Sequence, residues 1–183
     1  MRVRLHTNGK NLFSEEEWSH IHSAFQFFVD EFDLDRYDLP VYVKFTKIIT
    51  SKTFVDAKHN DINRGNCITH FRFQTQSGEI EVDRFVLNIS HGKLDKVIDT
   101  IFHEMTHVLQ ALRGDIEYLP DGSEVYKGVY YSVDKLSKPT YTEYRAFPWE
   151  VEARQVGAEM TAKWHKKLGI KQTFWQKLLK FWS

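Results

Sequence analysis

The spacing of apolar residues changes twice along the chain, and each change marks a different kind of element. Trp18, Ile21, Phe25, Phe28, Val29 and Phe32 recur at intervals of three and four, the period of a helix with one buried face. Just ahead of them, Ser14-Glu15-Glu16-Glu17 forms a capping box, with serine at the N-cap and glutamate at the third helical position. Together these predict a helix from Ser14 to about Phe32, with His22 on its apolar stripe as a packed histidine. From Val41 the period falls to two. Val41, Val43 and Phe45 alternate with Tyr42, Lys44 and Thr46, as in a strand with one buried face. A second alternation runs through Ile68, Phe71 and Phe73, and Ser77-Gly78 reads as a hairpin turn into a third run, Ile80 to Ile89. The phase of that run slips near Asp83-Arg84, where a bulge or a break is expected. Residues 1–91 therefore read as one helix followed by a sheet of at least three, mainly antiparallel strands.

The helical period returns at Leu94 and holds through Val97, Ile98, Ile101, Met105, Val108, Leu109 and Leu112, with Gly114 placed to stop the helix. An irregular stretch with turn chemistry at Pro120-Asp121-Gly122 follows, and Val125 to Tyr131 reads as a short hairpin or extended loop. Pro148 suits the first turn of another helix, which continues through Glu150, Ala153, Val156, Met160 and Trp164 to Gly169. A short helix from Thr173 to Trp182 closes the chain. The fold class read from this order is α+β, in a single domain over residues 1–183: helix plus sheet over 1–91, helices and a tyrosine-rich loop over 92–183.

Composition narrows what such a domain could do. The 183 residues carry 25 Lys+Arg against 25 Asp+Glu, and this balance gives no support to a nucleic-acid partner. No stretch approaches the ~20 apolar residues that span a bilayer, and no signal core follows Arg2 and Arg4, so no transmembrane segment and a cytoplasmic location are expected. Cys67 stands alone and is read as a small buried residue. Aromatic residues reach 15%, and six of the eight tyrosines lie between Tyr118 and Tyr144.

Chemistry enters at His103-Glu104-Met105-Thr106-His107, an H-E-x-x-H run inside the most strongly periodic helix. Positions i and i+4 share a helix face, so both imidazoles can point at one ion, while Glu104 reaches a water beside it. Taking Leu94 as zero at ~100° per residue, the apolar stripe lies within about 60° of zero and the histidines near 180° and 220°. The helix thus packs one side into the core and turns His103 and His107 to a different space. A catalytic zinc site takes three protein ligands, and the third is sought among Glu150 and Glu152, both in the first turns of the helix that begins at Pro148.

With HEMTH followed by Tyr144-x-x-x-Pro148-x-Glu150-x-Glu152-Ala153, the chain resembles the zincin metallopeptidases of the gluzincin plan. It is most similar to small zincin-like proteins of bacteriophages and bacteria. The resemblance covers roughly Phe85 to Lys163. It implies a zincin-like fold and Zn2+ held by His103, His107 and Glu150, with Glu152 as alternative ligand or support. It also implies Glu104 as general base in hydrolysis of a peptide or protein substrate, in the cytoplasm or, for a phage-encoded chain, that of the host. Where the family often places an aspartate to hold a zinc-bound histidine, this chain has Arg154, which cannot accept an imidazole N–H. Asp99, Glu152 or a backbone carbonyl is the expected replacement. No third histidine stands at metzincin spacing, since the only later one is His165.

Further roles stay open on the sequence. Tyr144, Tyr141, Tyr130 or Tyr131 could donate to an oxyanion, with Tyr144 nearest the ligand motif. Phe85–Ile89 or the Tyr126–Tyr131 segment could align a substrate backbone, and the tyrosine-rich stretch could line its groove. The alternative to a metallopeptidase is a non-enzymatic phage or bacterial structural or interaction protein that retains a zinc site. Phe174 to Trp182, with lysines among Trp, Phe and Leu, would suit a membrane surface or partner.

Overall fold

The first long helix begins where its cap stands. In the computed structural model, which describes residues 1–5, 7–47, 49–50, 62–63, 65–73, 80–137 and 139–169, the Ser14 side chain accepts the Glu17 amide and Glu17 reaches back to the Ser14 amide. A four-residue strand β1 (Arg2–Leu5) precedes this helix, α1 (Glu15–Glu31). Then come β2 (Pro40–Thr46), the short pair β3 (Ile49–Thr50) and β4 (Ile62–Asn63), and the long strands β5 (Gly65–Phe73) and β6 (Ile80–Ser90). α2 (Leu94–Leu112) follows, then a small sheet of β7 (Ile116–Tyr118), β8 (Glu124–Tyr126) and β9 (Val129–Tyr131). Three helices finish the described chain: α3 (Val133–Ser137), α4 (Tyr141–Ala146) and α5 (Pro148–Lys167). The architecture is α+β. Ser77-Gly78 and the helix expected from Thr173 to Trp182 lie outside the described residues.

The main sheet has the order β1-β2-β6-β5, and two of its three ladders, β1–β2 and β2–β6, are parallel. This corrects the mainly antiparallel sheet expected there. Parallel neighbours need a crossover, and α1 supplies it between β1 and β2. β5 and β6 pair antiparallel, and their register shifts between His70 and Phe71, leaving Asp83 as the extra residue where the phase slip was read. Because β6 lies between β2 and β5, Phe85–Ile89 is an interior run and cannot be the substrate edge. β5 is an edge strand.

The parallel register sets Val41 beside Phe85, Val43 beside Leu87 and Phe45 beside Ile89. All six are buried, and they pack with Ile21, Phe25 and Phe28 of α1, Ile98, Ile101 and Met105 of α2, and Met160 and Trp164 of α5. Each such buried aliphatic or aromatic side chain contributes about 1.5–3 kcal/mol. His22 departs from its expected packing: it is exposed, and its Nδ1 lies 2.9 Å from the Trp18 carbonyl oxygen one turn back. Cys67 is half-buried against the core, where burial pushes its thiol pKa up. α2 ends through Arg113 into Gly114, whose φ of 70° is the left-handed geometry that closes a helix. β8 and β9 join through Lys127 and Gly128, both with positive φ, as a two-residue hairpin requires. No described helix is long and apolar enough to cross a membrane.

Candidate metal centre

Three helices bring the site together. α2 carries His103 and His107 on the side away from its apolar stripe, and Glu104, at about 280° on the wheel counted from Leu94, between that side and the stripe. α4 is capped by a Thr140–Glu143 box and stops at Phe147, which is also the N-cap of α5, with Pro148 in the first helical turn. The extended backbone at Phe147 turns the chain sharply, and its ring stacks on Trp149 at 4.6 Å. The first turn of α5 therefore faces α2. Lower down, Gly157 lets the two helices approach closely: a Cβ there would lie 3.3 Å from the His103 amide nitrogen and 3.4 Å from its Cα.

The result is a triangle of donors. His103 Nε2 and His107 Nε2 are 3.3 Å apart, His103 Nε2 is 3.4 Å from Glu150 Oε2, and His107 Nε2 is 3.2 Å from Glu150 Oε1. Tetrahedral zinc with bonds of ~2.0–2.1 Å sets neighbouring donors ~3.3 Å apart, so the three edges fit that ion. The donor chemistry fits as well, being two imidazoles and one carboxylate. Among the described residues this is the one group of three or more His, Cys, Asp or Glu side chains that could hold a metal ion.

Electrostatics binds the three together. Burial alone would lower the His107 pKa, but the hydrogen bond and charge of Glu150 outweigh it and raise the value to about 9. Burial alone would raise Glu150, but the two histidines hold its carboxyl far below the usual carboxylate range. Glu104 is 4% exposed and does not join the triangle. Its pKa is raised, chiefly by burial, which suits a general base. The end of β5 covers it: a Cβ on Gly65 would meet Glu104 Oε1 at 2.5 Å and Thr100 Cγ2 at 2.6 Å.

The remaining candidates divide by what they touch. The Tyr144 hydroxyl donates to Glu150 Oε1 at 2.5 Å, and burial with the neighbouring Glu150 charge raises its pKa far above the ordinary value. Tyr130 and Tyr141 are exposed, while Tyr131 packs on Trp149 and Phe147. Glu152 stays out of the triangle. It accepts from the Tyr126 hydroxyl, from Lys127 Nζ and from Gln110 Nε2 at 3.0 Å. Asp99 accepts from Thr161 at 3.4 Å. Arg154, at the position where the family often has aspartate, donates to the Arg145 carbonyl and sets a guanidinium nitrogen 3.9 Å from Glu150 Oε2.

Gln110 was not anticipated. Its Oε1 lies 2.9 Å from His107 Nδ1, and its amide donates at 3.0 Å to both the Trp149 carbonyl and Glu152. It fills the supporting role sought among Asp99, Glu152 and the backbone, with Glu152 acting one bond further out. The signal was available, since Gln110 projects at about 160° on the helical wheel that puts the histidines near 180° and 220°. The chain matches no family model, no curated protein and no solved structure.

Proposed function

We propose that the chain is a zinc-dependent metallopeptidase of the zincin kind, hydrolysing peptide bonds with Glu104 as general base. The observation that carries this reading is the donor triangle of His103, His107 and Glu150, with edges of 3.2–3.4 Å, beside a buried carboxylate that takes no part in it. When bound there, zinc supplies Lewis acidity that polarises a peptide carbonyl and acidifies a water. Glu104 receives the proton as that water attacks and returns it to the departing amine. Its burial keeps its basicity above that of an ordinary glutamate. Tyr144 orients the Glu150 carboxylate through its hydroxyl, and Gln110 fixes the His107 ring through Nδ1. β5 is the edge strand that passes Glu104, and a substrate backbone aligned on it would bring its carbonyl to the base.

The test is a zinc-loaded protein offered a library of internally quenched peptides. Wild type should cleave a subset. Glu104→Gln should abolish turnover with zinc content unchanged, and full activity in that variant would sink the mechanism. Stoichiometric zinc without cleavage of any peptide would instead favour a structural zinc site in a non-enzymatic interaction protein.

A further inference from the structure

The small sheet beside the site carries a carboxylate that has no hydrogen-bond or ion-pair partner among the described residues. In the small sheet, Glu124 of β8 pairs with Tyr118 of β7 on one side and Tyr131 of β9 on the other, and directly paired residues share a face. Tyr126, two residues on, shares that face too. It hydrogen-bonds Glu152, which holds Gln110, which holds His107. Tyr118 is hydrogen-bonded to Thr69 of edge strand β5, and the Tyr131 ring packs 4.9 Å from Trp149. The row Tyr118–Glu124–Tyr131 is therefore anchored to the strand that passes Glu104 and to the turn that carries Glu150. Glu124 stands at its centre, half-buried and within electrostatic reach of His107.

Among the described residues, none gives the Glu124 side chain a hydrogen bond or an ion pair. The nearby cations are engaged elsewhere: Lys127 is 3.1 Å from Glu152, and Lys135 lies over the Tyr131 ring at 5.2 Å. A carboxylate drawn partly out of water without a partner costs free energy that an arriving cation restores, and flanking aromatic rings favour such a cation further.

We propose that Glu124 is the anionic centre of a substrate subsite that takes an ammonium or guanidinium group of the peptide, next to the scissile bond. The group is a lysine or arginine side chain or the free amino terminus. The proposal rests on the metallopeptidase reading and names the substrate class of that site.

Binding separates the two without relying on turnover. The zinc-loaded Glu104→Gln chain is titrated calorimetrically with four hydroxamates: those of N-acetyl-lysine, N-acetyl-norleucine, N-acetyl-glutamate and norleucine with a free amine. A cationic ligand should bind on the order of tenfold tighter than N-acetyl-norleucine hydroxamate. The acetyl-lysine arm reports a side-chain cation and the free-amine arm an amino terminus. Adding Glu124→Gln should erase the preference with zinc content unchanged, and Glu124→Lys should turn it toward N-acetyl-glutamate. Equal binding of all four, or a preference that survives Glu124→Gln, overturns the subsite while leaving the metal site standing. Failure to take up zinc, or zinc uptake with no hydroxamate bound, overturns the metallopeptidase reading and the subsite with it.

Discussion

Gln110 offers the cleanest test of the site's construction, because its two jobs come apart under two substitutions. One job is to accept from His107 Nδ1 at 2.9 Å; the other is to donate to the buried Trp149 carbonyl and to Glu152, both at 3.0 Å. Gln110→Leu removes both. The Trp149 carbonyl keeps the Ala153 amide as its donor within α5 and loses a second hydrogen bond in a buried place, at a cost of about 0.5–1.5 kcal/mol in stability. Glu152 keeps Tyr126 and Lys127 and loses less. The His107 ring is left unsupported on the side away from the ion, and such outer partners are worth ~10- to 100-fold in metal affinity, or about 1.4–2.8 kcal/mol.

Gln110→Glu keeps an acceptor for His107 but removes the donors and sets a carboxylate against Glu152. It should lose at least as much stability as the leucine variant and hold zinc with undiminished affinity. Stability is read by denaturant unfolding of zinc-free protein, and affinity by competition with a chromophoric chelator. If Gln110→Leu binds zinc as tightly as wild type, or if both variants weaken it equally, Gln110 does not position His107.

Three further outcomes are expected. Gly65→Ala puts a Cβ where Glu104 Oε1 and Thr100 Cγ2 lie 2.5 and 2.6 Å away; it should displace the base and cut kcat by ~100-fold at unchanged zinc content, and full kcat would show that β5 does not confine Glu104. Glu150→Ala should release zinc on gel filtration while Glu152→Ala retains it; the reverse pattern assigns the ligand to Glu152. In zinc-free protein, His107 has a folded pKa of about 9 against an ordinary 6.5, so its contribution is complete below about 6.5 and is lost as pH rises through about 9. Glu150 is held below its ordinary 4.5, so its contribution is lost only as pH falls below that value. The zinc-free unfolding midpoint should therefore drop between pH 6.5 and 9 more steeply than in His107→Gln, and parallel profiles would refute the pairing.

What the sequence disclosed about the fold follows how local each signal is. α1, α2 and α5 were legible because caps, stops and a period of 3.6 lie within each segment. β1 was not, because four residues with arginines at alternate positions leave too little pattern to separate from a loop. Strand direction was not legible either: Val41, Val43 and Phe45 alternate identically in parallel and antiparallel ladders, and only the crossover decides. The interior place of β6 did leave a trace. Phe85, Val86 and Leu87 are consecutive and all buried, as in a strand covered on both faces.

The choice between Glu150 and Glu152 looked open because both acids stand near one helix start, yet helix geometry separates them. Residues two apart on a helix point ~200° away from each other, so one ion cannot draw on both. Glu150, Ala153, Gly157, Met160 and Trp164 recur at three and four, and all five are buried. Glu150 thus continues the stripe by which α5 lies on α2, whereas Glu152 falls off it and turns to Tyr126 and Lys127. Reading Val156 into that stripe, in place of Gly157, hid this alignment. Gly157 favours this face, since a Cβ there would lie 3.3–3.4 Å from the His103 backbone and push the helices apart by a few tenths of an ångström. The placement of Glu150 beside His103 and His107 therefore depends on a contact between an uncharged residue and a backbone, two turns further along α5.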